Sequence, residues 1–294
     1  MASDDAYKVS SLKGKVSLIT GASSGIGAGT AVLFAKLGAV LALNGRNVES
    51  LKKVAKECAE CGGGTEPLLL PGDLTDEDAV KRTVEDVMAR FGRLDVLVNS
   101  AGILAMGGIE TSDLATYDRV MNINVRSVYQ LTQLCVPHLV KTKGSIVNVS
   151  SVNGQRSFPG VLAYCMSKSA IDQFTRCVAL GESAVLPNNA PSLHAHKKGQ
   201  LPTCFLISEL ASKQVRVNSV CPGVIVTEVH KRAGLDEEQY AKFLEKCKQT
   251  HALGRPGEVD EVAHSIAFLA SDAATFITGV NLPIDGGRHA MCPR

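Results

Sequence analysis

The sequence predicts an α/β protein built on one doubly wound parallel sheet of about seven strands, with helices on both faces. Three observations carry this. Short aliphatic and β-branched runs alternate with amphipathic stretches from one end of the chain to the other, which is the pattern of repeated strand–helix–strand units. The first strand runs directly into a glycine-rich turn that opens a helix. The length, 294 residues of which 45% are hydrophobic, allows a substantial core in one large domain or two small ones, and we read one domain spanning 1–294.

Each element follows from its own residues. Lys15–Thr20 (KVSLIT) is a short apolar strand, followed by Gly21-Ala-Ser-Ser-Gly25-Ile-Gly27 and a helix over Ala28–Leu37. A second strand, Ala39–Asn44, leads through Gly45-Arg46-Asn47 into a helix reaching about Glu60. Residues 67–71 (PLLLP) form a third strand that ends at Gly72-Asp73, and Asp76–Arg90 forms a helix. Leu94–Asn99 is the fourth strand, stopping at Ser100-Ala101-Gly102, and Leu114–Leu139 is mostly helical. The β-branched run Ile146, Val147, Val149 is a fifth strand with its helix beyond. Val215–Val220 is the sixth. Asp236–Thr250 is a polar amphipathic helix, Val259–Ala270 another, and Gly279–Ile284 the last strand.

Composition excludes several function classes. A net charge of +2 with scattered lysines and arginines offers no nucleic-acid surface. The first eight residues, MASDDAYK, lack the apolar core of a signal peptide. Ala31–Leu43, the longest near-apolar run, contains Lys36 and is too short to span a bilayer. We therefore expect a cytoplasmic protein with no membrane and no nucleic-acid partner. The nine cysteines are mostly embedded in apolar patterns (Cys135, Cys177, Cys221), which suits packed, reduced thiols. Cys58 and Cys61 form a C-x-x-C, but no second pair or nearby histidine completes a zinc site. We read the pair as a helix end running into Gly62-Gly63-Gly64, and expect no metal.

Chemistry concentrates between Ile146 and Lys168. A strand is followed by Ser150 and Ser151, a Gly/Pro-punctuated loop, and then Tyr164 and Lys168 four residues apart at the start of a helix, on one face and within side-chain reach. An ammonium beside a phenol lowers its pKa, making the tyrosine a usable acid or base near neutrality. Upstream, the glycines of Gly21–Gly27 let backbone approach a pyrophosphate, and the helix behind them offers its free N–H groups. An acid at the end of the second strand would select an unphosphorylated dinucleotide. Here Gly45 stands there, followed by Arg46, which can pair a 2′-phosphate. NADP(H) is favoured and NAD(H) stays open.

With these motifs the chain resembles the short-chain dehydrogenase/reductase family, in particular its 3-oxoacyl-carrier-protein-reductase-like and carbonyl-reductase-like members, over Leu12–His289 apart from one insert. The motifs are TGASSGIG (20–27), GD (72–73), NSAG (99–102), Asn124, Ser151 with Tyr164-x-x-x-Lys168, PG-x-x-x-T (222–227) and DGG (285–287). The resemblance implies a Rossmann-type fold, with Thr20, Gly21, Ser23, Gly25, Ile26 and Gly27 forming the pyrophosphate turn. It implies that Asp73 reads the adenine amino group with Leu74 beside it, and that Asn99, Ala101 and Gly102 line the cleft. Pro222, Gly223, Val224 and Thr227 would embrace the nicotinamide, Val224 through its backbone and Thr227 through its hydroxyl. Asn124 would hold a water in a proton relay, Ser151 would hydrogen-bond the substrate oxygen, and Tyr164 would act as general acid or base. Lys168 would tune the tyrosine and hold the nicotinamide ribose. Ser150 competes for the Ser151 role, and Ser151 is preferred for its thirteen-residue offset from Tyr164. Asp73 as a mere helix cap and Thr227 as an ordinary loop residue are the plainer alternatives.

The expected activity is NADP(H)-dependent reduction of a ketone or 3-oxoacyl group, or the reverse. The alternatives are an NAD(H)-dependent alcohol or hydroxysteroid dehydrogenase and a non-catalytic cofactor-binding sensor. Ala105, Met106, Asn153, Phe158, Val161 and 228–253 would line a mostly uncharged substrate pocket. Family members often form tetramers, so a homo-oligomer is expected.

One stretch departs from the family pattern. Residues 181–208 (GESAVLPNNAPSLHAHKKGQLPTCFLIS) interrupt the helix that begins near Ala163; Pro187, Pro191, Asn188, Asn189 and Gly199 cannot continue it. Removing them in thought joins TRCVAL to ELASKQVRVNSVCPG and restores an apolar stripe of Phe174, Val178 and Leu210. We read the insert as translated intron sequence, its LPTCFLIS end matching what a pyrimidine-rich splice-acceptor tract encodes. A regulatory loop baited by His194-x-His196-Lys197-Lys198 is the alternative.

Overall fold

The computed structural model describes residues 11–180 and 210–291. Both the 181–208 insert and the histidines 194 and 196 lie outside the described residues.

Seven strands, β1 (Val16–Ile19), β2 (Val40–Gly45), β3 (Leu68–Pro71), β4 (Val96–Asn99), β5 (Ser145–Val149), β6 (Arg216–Pro222) and β7 (Asn281–Ile284), form one sheet in the order β3-β2-β1-β4-β5-β6-β7. Every neighbouring pair is parallel. The helices are α1 (Gly25–Lys36), α2 (Val48–Cys61), α3 (Glu77–Phe91), α4 (Leu114–Met121), α5 (Ser127–Thr142), α6 (Leu162–Leu180), α7 (Val229–Arg232), α8 (Glu237–Thr250) and α9 (Val259–Ala270). The short α7 was not expected from sequence, and α1 begins at Gly25, three residues before the expected start. Glycine propensity argues against a helix there, but the turn needs those N–H groups at its end.

The strands are buried on both faces, so alternation along each one feeds two cores. Ile19, Val96 and Val98 join α1 and α9 residues such as Phe34 and Ile266 in one core. Val16, Leu18 and Leu97 join α3 and α5 residues such as Val84 and Leu131 in the other. Gly29 allows α1 to lie against α9, because a Cβ there would run into the Val259 side chain. Side-chain caps start the outer helices: Asn47 accepts the Ser50 N–H at 2.9 Å and Asp113 the Thr116 N–H at 2.8 Å, while Asp236 and Gln239 form a capping box on α8, the reciprocal pairing that ends orphaned donors. Asp76, not Asp73, caps α3.

Two corrections concern helix faces. The buried stripe of α6 is Ile171, Asp172, Thr175 and Ala179, whereas Phe174 and Val178 flank it half-buried. Leu210 is buried in the same core as Ala179, with Val178 packed at its edge. Cys177, expected to be packed, is exposed, because it falls on the opposite face from Thr175 and Ala179. Cys58 is buried at the last turn of α2, and its thiol is pushed up to about 12 by burial, with Cys61 and Glu57 adding to the effect. Such a thiol is unreactive. No group of three metal-ligating side chains is found among the described residues, and no helix among them is long and apolar enough to cross a membrane.

Candidate active site

In a doubly wound sheet the loops leaving neighbouring strands diverge where the strand order reverses, and a crevice opens at their carboxyl ends. Here that point is between β1 and β4. A continuous cleft of about 1490 Å³ runs along it, lined by the Gly21–Gly27 turn, Arg46, Asp73, Gly102, Ser151, Tyr164, Lys168 and the 222–228 loop, among others.

The turn after β1 is shaped by backbone. Gly21 has φ +64, and a Cβ on it would lie 2.9 Å from Ala101 Cα, so only glycine permits the β1 and β4 loops to touch. A Cβ on Gly27 would strike the Gly21 carbonyl. Ser24 precedes α1 in an extended conformation without capping it through its side chain, leaving the first-turn N–H groups and the positive helix end directed to the cleft. Arg232 of α7 donates to Ser24 Oγ at 3.0 Å, tying the far wall to this turn. The crevice, the glycine-only contacts and the uncapped helix end fit the pyrophosphate of a dinucleotide.

At the end of β2, a Cβ on Gly45 would lie 3.1 Å from Ser23 Cβ and Oγ. An acid cannot be seated there unless Ser23 gives way. Arg46 Nη1 lies 3.7 Å from Asp73 Oδ2, both side chains well exposed, a pairing weak enough to be exchanged for a ligand. The Asp73 Oδ1 accepts from the Thr75 N–H and hydroxyl, both at 2.9 Å. Burial raises the Asp73 pKa, but these bonds and Arg46 outweigh it and hold the carboxyl below its ordinary value.

Three expected cleft residues support the cleft from beneath instead. Thr20 Oγ1 accepts the Ser100 and Ala101 N–H groups at 3.0 and 3.1 Å. The Asn99 side chain faces the interior and donates to Asn148 Oδ1 at 2.9 Å and Thr132 Oγ1 at 3.2 Å. The Asn124 amide spends both protons, on the Ile103 carbonyl and Ser167 Oγ, and its Oδ1 accepts the Ile103 N–H at 2.8 Å. It sits in a π-helical turn, Asn122–Arg126, between α4 and α5. Both amide protons are therefore engaged within the fold.

Ser151, Tyr164 and Lys168 meet at one wall. Ser151 ends the β5 loop, its Oγ accepting the Asn153 N–H at 3.2 Å. Ser150 is turned away: its hydroxyl donates to the Lys168 carbonyl at 3.2 Å. Lys168, 6% exposed, donates from Nζ to the Val149 carbonyl at 2.8 Å and lies 5.6 Å from the centre of the Tyr164 ring. A Cβ on Gly102 would come within 3.6 Å of that Nζ.

The electrostatics differ from the expectation that Lys168 lowers the Tyr164 pKa. Burial pushes the phenol up to about 12, with the Ser151 hydroxyl opposing and Cys165 adding. Burial pushes Lys168 down to about 8, with Asp172 and Cys221 opposing. Desolvation outweighs the charge contact here. At neutral pH the phenol keeps its proton and the lysine its charge, the pairing that a proton donor requires.

The 222–227 loop also departs from expectation. Val224 gives its N–H to His251 Nε2 at 3.2 Å and its carbonyl to the Gly257 N–H at 2.8 Å. Its N–H is therefore engaged, although Val224 itself lines the cleft. Ile225, the next residue, lines the cleft. The Thr227 N–H is held by the Tyr240 hydroxyl at 3.2 Å, which donates back to the Thr227 carbonyl at 3.0 Å. Met106, Asn153, Phe158 and Val161 line the cleft as expected. Ala105 is buried among Val120 and Ala163.

Sequence reasoning missed His251, Arg288 and Thr75. A threonine two residues after Asp73 was a readable signal for a local turn. The other two reach the site only through folding.

Comparisons with known proteins agree with this geometry. Residues 15–184 match the model of the short chain dehydrogenase family, and 180–289 match that described as enoyl-(acyl carrier protein) reductase. The chain is 37% identical over 277 residues to 3-oxoacyl-acyl-carrier-protein reductase FabG of Thermotoga maritima, covering 94% of this chain and 98% of that protein. It is 33% identical over 276 residues to meso-2,3-butanediol dehydrogenase of Serratia marcescens, covering 94% and 95%. Among solved structures, levodione reductase superposes with a TM-score of 0.83 at 30% identity, covering 96% of this chain and 100% of that one. A cofactor-bound short-chain dehydrogenase/reductase of unknown function from Caenorhabditis elegans gives 0.81 at 30% identity, covering 96% and 97%. The chain belongs to the short-chain dehydrogenase family and is an NAD(P)-dependent oxidoreductase acting on alcohol or carbonyl groups.

Proposed function

We propose that the protein reduces a ketone or 3-oxoacyl carbonyl to a secondary alcohol with NADP(H), or runs the reverse reaction. The observation that carries this is the convergence of Ser151, Tyr164 and Lys168 on one wall of the cleft, with Arg46 at the β2 end of the same cleft. Gly21, Ser23, Gly25, Ile26 and Gly27 would hold the pyrophosphate, Arg46 a 2′-phosphate, and Asp73 and Leu74 the adenine. Ala101 and Gly102 would back the cofactor at β4. Pro222, Gly223, Ile225 and Thr227 would flank the nicotinamide, and Lys168 its ribose. When bound, the nicotinamide supplies or accepts the hydride. Tyr164 donates its proton to the developing alkoxide, and the Ser151 hydroxyl hydrogen-bonds the same oxygen. In oxidation the roles reverse. A homo-oligomer in the cytoplasm remains part of this reading, supported by exposed apolar side chains such as Leu114, Tyr129 and Met166.

The test is oxidation of NADPH and of NADH against a panel of small ketones, dicarbonyls and 3-oxoacyl thioesters. Turnover with NADPH preferred, and a shift toward NADH in Arg46→Asp of about tenfold or more, is the expected result; a tenfold change corresponds to one charge-assisted contact. Cofactor binding without turnover on any carbonyl would replace this reading with that of a sensor. Unchanged preference in the variant would remove Arg46 from the assignment.

A further inference from the structure

We propose that the substrate of this oxidoreductase carries an oxyanion, a carboxylate foremost, and that Arg288 binds it in the cleft that holds Ser151 and Tyr164. This rests on the carbonyl-reducing reading above and adds the substrate's chemical class.

Arg288 follows β7 by way of Gly286 and Gly287, whose left-handed φ values of +57 and +81 turn the chain so that both Arg288 and Met291 line the cleft. The guanidinium is half-buried with its Cζ 4.3 Å from the centre of the Phe158 ring. Phe158 belongs to the loop between Ser151 and Tyr164, so the cation is docked on the segment that carries the reacting groups. Among the described residues, the Arg288 side chain makes no hydrogen bond and no ion pair.

The nearest carboxylate in sequence cannot serve. Asp285 accepts from the Gly287 N–H at 3.0 Å, the His289 N–H at 2.6 Å and His289 Nδ1 at 3.0 Å. The other cleft carboxylates are engaged too: Asp73 with Thr75, and Glu228 with Lys231 at 3.5 Å. The charges that Arg288 feels are those of Cys247 and Asp285, which act at a distance and oppose the effect of burial; His230 and His251, which feel Arg288 in turn, can only be neutral or positive. Arg156 and Lys246 also line the cleft, and neither forms an ion pair among the described residues.

A guanidinium keeps its charge at any ordinary pH, and holding it half-buried without a hydrogen-bond partner costs free energy. Packing its face on an aromatic ring leaves the N–H edge open, and that edge matches a carboxylate or phosphate through two parallel bonds. With no hydrogen bond or ion pair of its own among the described residues, this cation is suited to an anion that arrives with the substrate.

The experiment uses the full-length protein with 3-oxobutanoate and 4-oxopentanoate, their methyl esters, and dihydroxyacetone phosphate, measuring both turnover and calorimetric binding in the presence of NADP. We expect an acid to be preferred over its own ester by about tenfold or more in kcat/KM, the scale of a lost charged hydrogen bond. The acid-to-ester ratio should fall at least about tenfold in Arg288→Met, and less in Arg288→Lys, which keeps charge without the fork. Preference for dihydroxyacetone phosphate over the acids would make the anion a phosphate. Wild-type protein that handles esters as well as acids overturns the proposal, even if Arg288→Met does not fold. So does a ratio unchanged in Arg288→Met. Acids that bind more tightly than esters in an Arg288-dependent way, with no turnover of either, would uphold the anion site and overturn the carbonyl-reducing reading instead. Absence of binding and turnover for every acid and for dihydroxyacetone phosphate overturns the anion site.

Discussion

His251 Nε2 accepts the Val224 backbone N–H at 3.2 Å, from the end of α8 to the loop that closes the cleft. On its other side, Nδ1 lies 3.2 Å from the Cys247 carbonyl. A carbonyl only accepts, so Nδ1 carries the proton and the ring is neutral. The imidazole is 2% exposed. Burial lowers its pKa, Arg288 adds to this, and Cys247 and Asp285 oppose it.

Replacing this acceptor strands a buried N–H. His251→Leu should cost about 1–3 kcal/mol of stability and raise the KM for the dinucleotide on the order of tenfold, since the loop loses its anchor. Thermal melts and cofactor titrations check this. A variant with native affinity would show that the loop holds without His251. Because the folded pKa lies below 6.5, His251 contributes stability that is complete above that pH and is lost as the pH falls. His230, pushed down to about 4 by burial and by Arg288, acts in the same direction. Denaturant midpoints should therefore decline from pH 6.5 toward 4, and less steeply in His251→Leu.

Lys168 acts in the same direction at higher pH. Its pKa is lowered from 10.5 to about 8, so between those values the unfolded chain binds the extra proton and stability rises with pH. Lys168→Met should remove a rise of up to about 3 kcal/mol across that range and abolish turnover. Equal slopes in the two proteins, read from urea melts at pH 8 and 10, would contradict the buried placement of this ammonium.

Tyr164→Phe removes the proton donor and should lower kcat by about 10²–10⁴-fold, while cofactor quenching titrations stay close to wild type. Ser151→Ala should cost about 10²–10³-fold through the lost hydrogen bond to the developing alkoxide. Ser150→Ala should cost far less in rate, because its hydroxyl faces the Lys168 carbonyl. Comparable losses at both serines would undo the assignment of Ser151.

Deleting 181–208 would carry the chain from Leu180 to Glu209 with Leu210 placed in the same core as Ala179. Closing a loop of that length costs about 3 kcal/mol in chain entropy. The shortened protein should melt several degrees higher and be at least as active. A lower melting temperature would identify the insert as part of the native structure.

Much of this was legible in the chain itself. Strand and helix periods gave the seven strands and their order of appearance, because burial on two faces writes continuous apolar runs for strands and amphipathic runs for helices. Gly21, Gly27, Tyr164 and Lys168 could be read from their spacing, since a tight turn and a single helical turn are local geometry; Ser151 was preferred over Ser150 through the family resemblance. What spacing cannot convey is which way a side chain points at a strand end. Thr20, Asn99 and Asn124 belong to the right motifs yet face inward to bond Ala101, Asn148 and Ser167.

Only the tertiary structure decided the protonation of the central pair and the partners of the cleft loop. Burial is a property of the whole packed molecule, and it set Tyr164 and Lys168 against the direction that their proximity alone suggested. His251 and Arg288 stand 27 residues and far more, respectively, from the groups they serve, with no periodicity connecting them. Their roles arise because α8 and the chain after β7 return to the carboxyl end of the sheet, where a local pattern in sequence has no reach.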